Sequence, residues 1–319
     1  MHKFRTWGMA GIVMLLATWL AACGPSTFLL RLHLQQGDTF HVKMDTTQHM
    51  TQTLMGQNIK VNQEMVFEYT WEVTAVDATG NMTVKVTYER VALTQEQNGE
   101  KRAYDSASGE EPPDFFKGVD LLVGKSFQMV LTPDGSVKSF AGLEKMLRQV
   151  ADEAGLSKDE ADAFYESLLG GFGDQAMTEQ FNALLTPYPH QPLKVGATWN
   201  SDIALKSVFP LSVHTTYTVQ AWKGKQVTLK MASTIETDPS KTTTPPGSPF
   251  AVKYDLTGTQ EGTSLIDLTT GMVTRSEIGQ HLEGKVLLVD PQHPEDTQHA
   301  MTMPLTMEST TTVTAQRGK

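Results

Sequence analysis

The stretch MVFEYTWEVTAVDATGNMTVKVTYERV, residues 65–91, decides the fold class. Met65, Phe67, Tyr69, Trp71 and Val73 alternate with polar neighbours, and so do Met82, Val84, Val86 and Tyr88. Successive side chains of a strand point to opposite faces, so a period of two marks a strand with one face buried and one wet. The break between the runs, Asp77-Ala78-Thr79-Gly80-Asn81, has turn chemistry. One wet face argues for antiparallel pairing. Working outward, Phe40, Val42 and Met44 repeat the pattern upstream, and the chain is expected to be mostly β with an α+β character.

Three phrases of the first half return in order in the second. QQGDTFHV (35–42) is answered by KVGATWNS (194–201), which pairs Gly37, Thr39 and Phe40 with Gly196, Thr198 and Trp199. Residues 70–86 are answered by 216–231, pairing Trp71 with Tyr217 and Val73 with Val219. LTPDGSVKS (131–139) is answered by LTTGMVTRS (268–276), pairing Gly135 and Val137 with Gly271 and Val273. Ordered matches of this kind are the signature of a duplication. The expected architecture is two related antiparallel β-sheet modules, 28–138 and 187–319, with a helical insert at 139–186 between them.

Within the insert, Leu143, Met146, Leu147 and Val150 fall at helical spacing, with Gly155 as a stop. Ser157 and Glu160 stand at capping-box spacing ahead of Phe164, Leu168 and Leu169. A third short helix is expected over 174–185, ending before Pro187. Their apolar stripes need a partner, and the concave face of a sheet is the natural one.

The first residues read as a targeting segment. Lys3 and Arg5 precede an apolar run from Gly8 to Leu20, and small residues lead to Cys23, the only cysteine. This is the form of a secretory signal, and the run is short for a span, which takes about 20 residues. An uncleaved anchor is the alternative. Leu20-Ala21-Ala22-Cys23 resembles the lipobox of bacterial lipoproteins. The resemblance implies a signal peptide at 1–22, cleavage before Cys23 and lipidation of Cys23, the one site residue expected. A lipidated Cys23 with a short tether would occupy 23–27, and the acyl chains would be the partner of the membrane. Two or three chains anchor stably where one is marginal. Gly24, where inner-membrane lipoproteins tend to carry aspartate, points to the outer membrane if the host is Gram-negative. The expected place is the cell envelope, facing the periplasm.

The body is similar to an uncharacterised family of two-repeat, β-rich bacterial lipoproteins, through Leu34 to Thr39 (Leu-x-x-Gly-Asp-Thr) and Thr132 to Val137 (Thr-Pro-Asp-Gly-x-Val). Ala197 stands where the first copy has Asp38. The family implies no activity.

Composition narrows the function classes. A formal charge of −10 without a basic run does not suit nucleic acid. With Cys23 taken by the anchor, no thiol is left for a disulfide, a thiolate metal site or a nucleophile. No hydrolase elbow, zinc helix motif or phosphate loop occurs, and the histidines (His33, His41, His49, His190, His214, His281, His293 and His299) are scattered. Gly170, Gly171 and Gly173 follow a helix rather than a strand, so they suit a helix end better than a phosphate cradle. No catalytic residue, cofactor or metal ligand is expected. Methionines such as Met44, Met65, Met231, Met303 and Met307 fall in the apolar phase of strands, where flexible thioethers fill a core or adapt to a ligand. The functional expectation is a non-catalytic envelope protein that binds an apolar ligand or a client protein between sheet and helices. The alternative is a structural or assembly subunit of an envelope complex, and a hydrolase without a local motif comes third.

Overall fold

The computed structural model describes residues 27–113, 116, 118–205, 210–238, 240–243 and 249–318. Cys23 and the signal segment lie outside the described residues. The first half supplies β1 (Thr39–Leu54), β2 (Gln57–Val76), β3 (Met82–Gln97), β4 (Glu100–Asp105), β5 (Ser126–Leu131) and β6 (Val137–Ala141). Then come α1 (Leu143–Glu153), α2 (Lys158–Phe172) and α3 (Asp174–Leu184). The second half supplies β7 (Thr198–Leu205), β8 (Leu211–Lys223), β9 (Gln226–Thr237), β10 (Ala251–Asp267), β11 (Met272–Val289) and β12 (Met301–Arg317). The protein is therefore mostly β, with few helices.

Where the repeat leads one to expect two sheets, there is one. Its order is β6-β5-β3-β2-β1-β12-β11-β10-β9-β8-β7, with β4 on β3. The last strand lies antiparallel along the first, from Phe40 opposite Arg317 to Gln52 opposite Leu305. β6 also runs to Ala141, three residues beyond the expected boundary at 138.

The alternating residues all turn to one face. Trp71, Val73, Val84, Val86, Tyr88, Met129 and Leu131 are buried there, at roughly 1.5–3 kcal/mol for each large apolar side chain. The helices cover this face at one end of the sheet, through Leu143, Met146, Leu147, Val150, Met177 and Phe181. The Ser157–Glu160 capping box is formed. Gly170 and Gly171 are helical, and it is Gly173 that separates α2 from α3. A second apolar cluster, with Ile235, Leu256, Leu282, Val286, Met303, Leu305 and Met307, occupies the other end of the same face.

Between the two clusters a polar row crosses the face. Ladder partners run from Ser201 through Thr215, Ser233, Gln260, Gln280, Ser309, Gln48, Gln63 and Gln95 to Arg102. Thr215 and Ser233 share a 2.8 Å hydrogen bond and are buried. Glycine shapes this region: a Cβ on Gly258 would stand 2.1 Å from the His281 carbonyl oxygen. The bare backbone lets Ile235 and Leu282, its ladder neighbours on either side, share one cluster.

Candidate functional site

Residues 28–34 form a strap that pins the two halves together at the helical end. The Phe28 and Leu193 backbones bond reciprocally (2.9 and 2.7 Å). The Leu32 N–H donates to the Pro133 carbonyl (2.8 Å) and the His33 N–H to that of Thr270 (2.7 Å). Pro133 lies in the β5–β6 turn and Thr270 in the β10–β11 turn, the two turns whose sequences match. Leu30, Leu32 and Leu34 are buried.

Tyr188, after α3, joins the same turns. Its N–H donates to the Asp134 carbonyl (2.8 Å) and its hydroxyl to the Gly271 carbonyl (2.7 Å). Gly271 has φ +72°, and a Cβ there would stand 1.8 Å from the Arg31 carbonyl oxygen. Only glycine allows the strap to come this close.

These elements enclose an apolar cavity of about 40 Å³. Leu32, Val42, Met44, Tyr69, Trp71, Phe181, Met272, Val313 and Ala315 line it, and exposed Gln180 stands beside it. Burial holds the Tyr69 and Tyr188 phenols well above their ordinary value, so both keep their protons at neutral pH. The Trp71 indole N–H, in a residue 4 % exposed, has no hydrogen-bond partner among the described residues. A cavity of this size admits a water molecule or a small group, well short of the 300–1,000 Å³ of most ligand pockets.

The opposite face is polar. A shallow cleft of about 310 Å³ lies over Gly279 between His49, His281, Glu261 and Glu308. His49 bonds Asn62 (2.9 Å), and His281 stands 3.7 Å from Glu308. His214 bonds Asp202 (2.8 Å), which raises its pKa. His41, His49, His214 and His281 thus decorate a solvent face, and His41 and His49 contact threonine and asparagine rather than each other. Among the described residues no three His, Cys, Asp or Glu side chains group to hold a metal ion. None of their helices is long and apolar enough to cross a membrane.

Asp38 and Thr39, at the entrance to β1, and Asp134 and Gly135, in the β5–β6 turn, border the strap and the cavity. The cavity lining comes from the strap, β1, β2, the β5–β6 turn, α3 with the segment after it, the β10–β11 turn with β11, and β12, and the repeat of Gly135 in Gly271 is the sequence signal that the two turns meet.

Fold and site define a single-sheet β protein with a helical plug and a small apolar seam pocket. Residues 79–273, more than half of the chain, match the Family of unknown function (DUF6263), and the chain belongs to that family. No curated protein matches it. Among solved structures it is similar to a chain described under "Lipid-protein interactions in lipovitellin" (TM-score 0.45, 10 % identity), covering 89 % of this chain and 25 % of that one. This chain therefore spans about a quarter of the lipovitellin chain. It is also similar to OccK7 of Pseudomonas aeruginosa (TM-score 0.28, 6 % identity, 88 % and 100 % covered). A third is the COG4313 outer membrane channel of Pseudomonas putida F1 (TM-score 0.23, 8 % identity, 89 % and 97 % covered).

Proposed function

We propose that this is a lipid-anchored, non-catalytic envelope protein that binds the apolar end of a ligand at the seam between sheet and helices. The observation that carries the reading is the apolar cavity beside Trp71, whose buried indole N–H lacks an acceptor among the described residues. An unpaired buried donor costs about 1–3 kcal/mol, which a ligand oxygen would relieve. At about 40 Å³ the cavity takes only a small apolar group beside that oxygen, and a longer chain requires α3 to move outward. The polar row beyond it stops an acyl chain from running on into the second cluster.

The two halves are read as a duplication. Gly37 and Gly196 have φ +90° and +85°. The Gly37 N–H donates to Val73 and that of Gly196 to Val219; the Val73 N–H returns to Asp38 and that of Val219 to Ala197. In this reading 28–138 and 187–319 are related modules and 139–186 is the insert.

Anchoring rests on the lipobox-like Leu20 to Cys23. The four residues from Gly24 to Thr27 span at most about 15 Å, so the strap end would sit near the membrane. β1 carries the β1–β2 tip, with Met55 82 % exposed, about 50 Å away from that end. The tip is then placed to meet a partner rather than the same membrane, which supports the assembly-subunit reading as the second one.

Native mass spectrometry of the body from Gly24, made in the periplasm and purified without detergent, tests the ligand. A near one-to-one adduct released by organic solvent supports the reading. An apo mass unchanged after incubation with envelope lipids defeats it for lipids. Labelling cells with a radioactive fatty acid tests the anchor, and incorporation that persists in Cys23→Ser would refute it.

A further inference from the structure

Where the chain enters the strap, the surface changes sign. Phe28, Leu30, Leu32 and Leu34 are buried, so the alternate residues Leu29, Arg31 and His33 turn outward. The Phe28 and Leu193 backbones pair, and their neighbours Leu29 and Lys194 share the outward side of that pair. Leu29 and Val195 are large apolar side chains left exposed. The Phe28 ring stands 4.8 Å from that of half-buried Trp222, whose Nε1–H donates to the Gly224 carbonyl (2.9 Å). The indole thus braces the β8–β9 turn, where Lys223 and Lys225 are exposed. The turn before β7 is tied to the same strand, since the Gly196 N–H donates to the Val219 carbonyl (2.8 Å).

These neighbouring segments, 27–31, 191–198 and 218–226, hold Arg31, Lys194, Lys223 and Lys225 and no acid, in a chain of net charge −10. Among the described residues Lys43, Lys125, Lys241 and Lys285 form ion pairs, and these four cations form none. Asp267, the ladder partner of Gln226, accepts from the Thr269 N–H and hydroxyl (2.9 and 2.8 Å). Each lysine or arginine near an anionic membrane surface adds about fivefold to the affinity for it. Tryptophan is at home at headgroup level, with one end apolar and the other wet.

We infer, resting on the anchoring reading of Cys23, that this face lies on the bilayer. Leu29 and Val195 enter the interface, and Arg31, Lys194, Lys223 and Lys225 meet the headgroups of anionic phospholipids. The occupant follows from two observations. Only the four residues Gly24 to Thr27 separate the strap from Cys23, a reach of at most about 15 Å. The rest of the acidic chain is repelled by an anionic surface, so the cationic face is the one that can approach it. The acyl chains would then fix the protein to the membrane, and this face would fix its orientation.

The test uses the full-length protein reconstituted on vesicles of phosphatidylcholine, with or without phosphatidylglycerol. Val195→Cys and, separately, Met55→Cys carry an environment-sensitive fluorophore, and lipids spin-labelled near the headgroup quench it. The label at 195 should be quenched at least about twofold more with phosphatidylglycerol than without. That excess should vanish in about 1 M salt, where the screening length falls to about 3 Å. It should vanish as well when Lys194, Lys223 and Lys225 are all changed to Glu. The label at 55 should stay unquenched. A label at 195 that is unquenched in both lipids, or quenched no more than that at 55, overturns the proposal. So does quenching at 195 that ignores phosphatidylglycerol and salt. A label at 195 already shielded without vesicles does so too, because a protein surface would then cover it. The salt series works on the native lysines, so the proposal stays testable if the triple variant does not fold. Wild-type protein that takes the label has a free Cys23, which defeats the anchoring reading. Flotation of that protein with phosphatidylglycerol vesicles but not with phosphatidylcholine alone would still support the face, and no flotation would overturn it.

Discussion

Arg317, at the end of the last strand, donates a hydrogen bond from Nη2 to Oδ1 of Asp38, at the entrance to the first. The other carboxylate oxygen of Asp38 accepts from the Gln35 N–H (2.9 Å), and the side chain is 9 % exposed. One carboxylate thus closes the turn before β1 and fixes the register of β12 on it. Ala197 stands in the similar turn before β7. Among the described residues β7 has no strand on its outer side, so a carboxylate there would have no strand end to hold.

Asp38→Ala is therefore expected to destabilise the fold by about 1–3 kcal/mol, the range for a charge-assisted pair with a buried member. Arg317→Ala should cost less, because Arg317 is 54 % exposed and water replaces part of what it gives. Urea unfolding of both variants and of the double variant checks this. Strictly additive losses would show that the two side chains act independently.

Gly271→Ala should be among the most disruptive small changes in the chain. The φ of +72° strains alanine, and the new methyl group would collide with the Arg31 carbonyl. A loss of roughly 2–4 kcal/mol is expected, with faster amide exchange at Leu32 and His33 as the strap lifts. Gly196→Ala, at φ +85° but with open space around it, should cost only the backbone strain, near 1 kcal/mol. Melting temperatures that fall equally for both would remove the strap contact from the explanation.

The strands were legible because each buries a single face, so Phe67 to Val73 and Met82 to Tyr88 alternate cleanly. The helices were legible through Leu143 to Val150 and the Ser157–Glu160 box. The single continuous sheet was not. It depends on residues 301–317 finding residues 39–54, and no local spacing encodes a partner so distant in sequence. The middle of the inner face was also hidden. Gln48, Gln63, Gln95, Gln260 and Gln280 are polar on the buried side, so the alternation fades where they fall. The cavity could not be read because its lining is drawn from seven separate segments. Asp38 looked like a turn residue, which it is, while its contact with Arg317 spans nearly the whole chain.

Filling the seam cavity should separate ligand binding from stability. Ala315 lines it and is 7 % exposed. Ala315→Leu adds about three methylene-sized groups, more than a space of about 40 Å³ holds, so it fills the cavity and overfills it. A cost of about 1–3 kcal/mol is expected from the crowding. The adduct expected for the wild-type protein in native mass spectrometry should be absent from the variant, while the far-ultraviolet circular dichroism stays unchanged. An adduct retained at full occupancy would place the ligand elsewhere.

The β3–β4 hairpin should respond to acid through Asp105. Arg90 holds it by a two-pronged bond, Nε to Oδ1 (2.9 Å) and Nη2 to Oδ2 (2.7 Å), and reaches Glu68 with Nη1 (2.8 Å). The Arg90 bond, with help from the Ala107 N–H, lowers the Asp105 pKa to about 2. An unfolded aspartate titrates near 3.9. The folded value lies below the unfolded one, so the stabilisation is fully present above about pH 4 and is lost as pH falls towards 2. The carboxylate is 37 % exposed, so screening keeps the effect below about 1 kcal/mol. Asp105→Asn should lower stability at pH 7 by that amount and flatten the dependence between pH 4 and 2. A carboxyl carbon resonance of Asp105 that titrates near pH 4 in the folded protein would show that the Arg90 bond does not hold in solution.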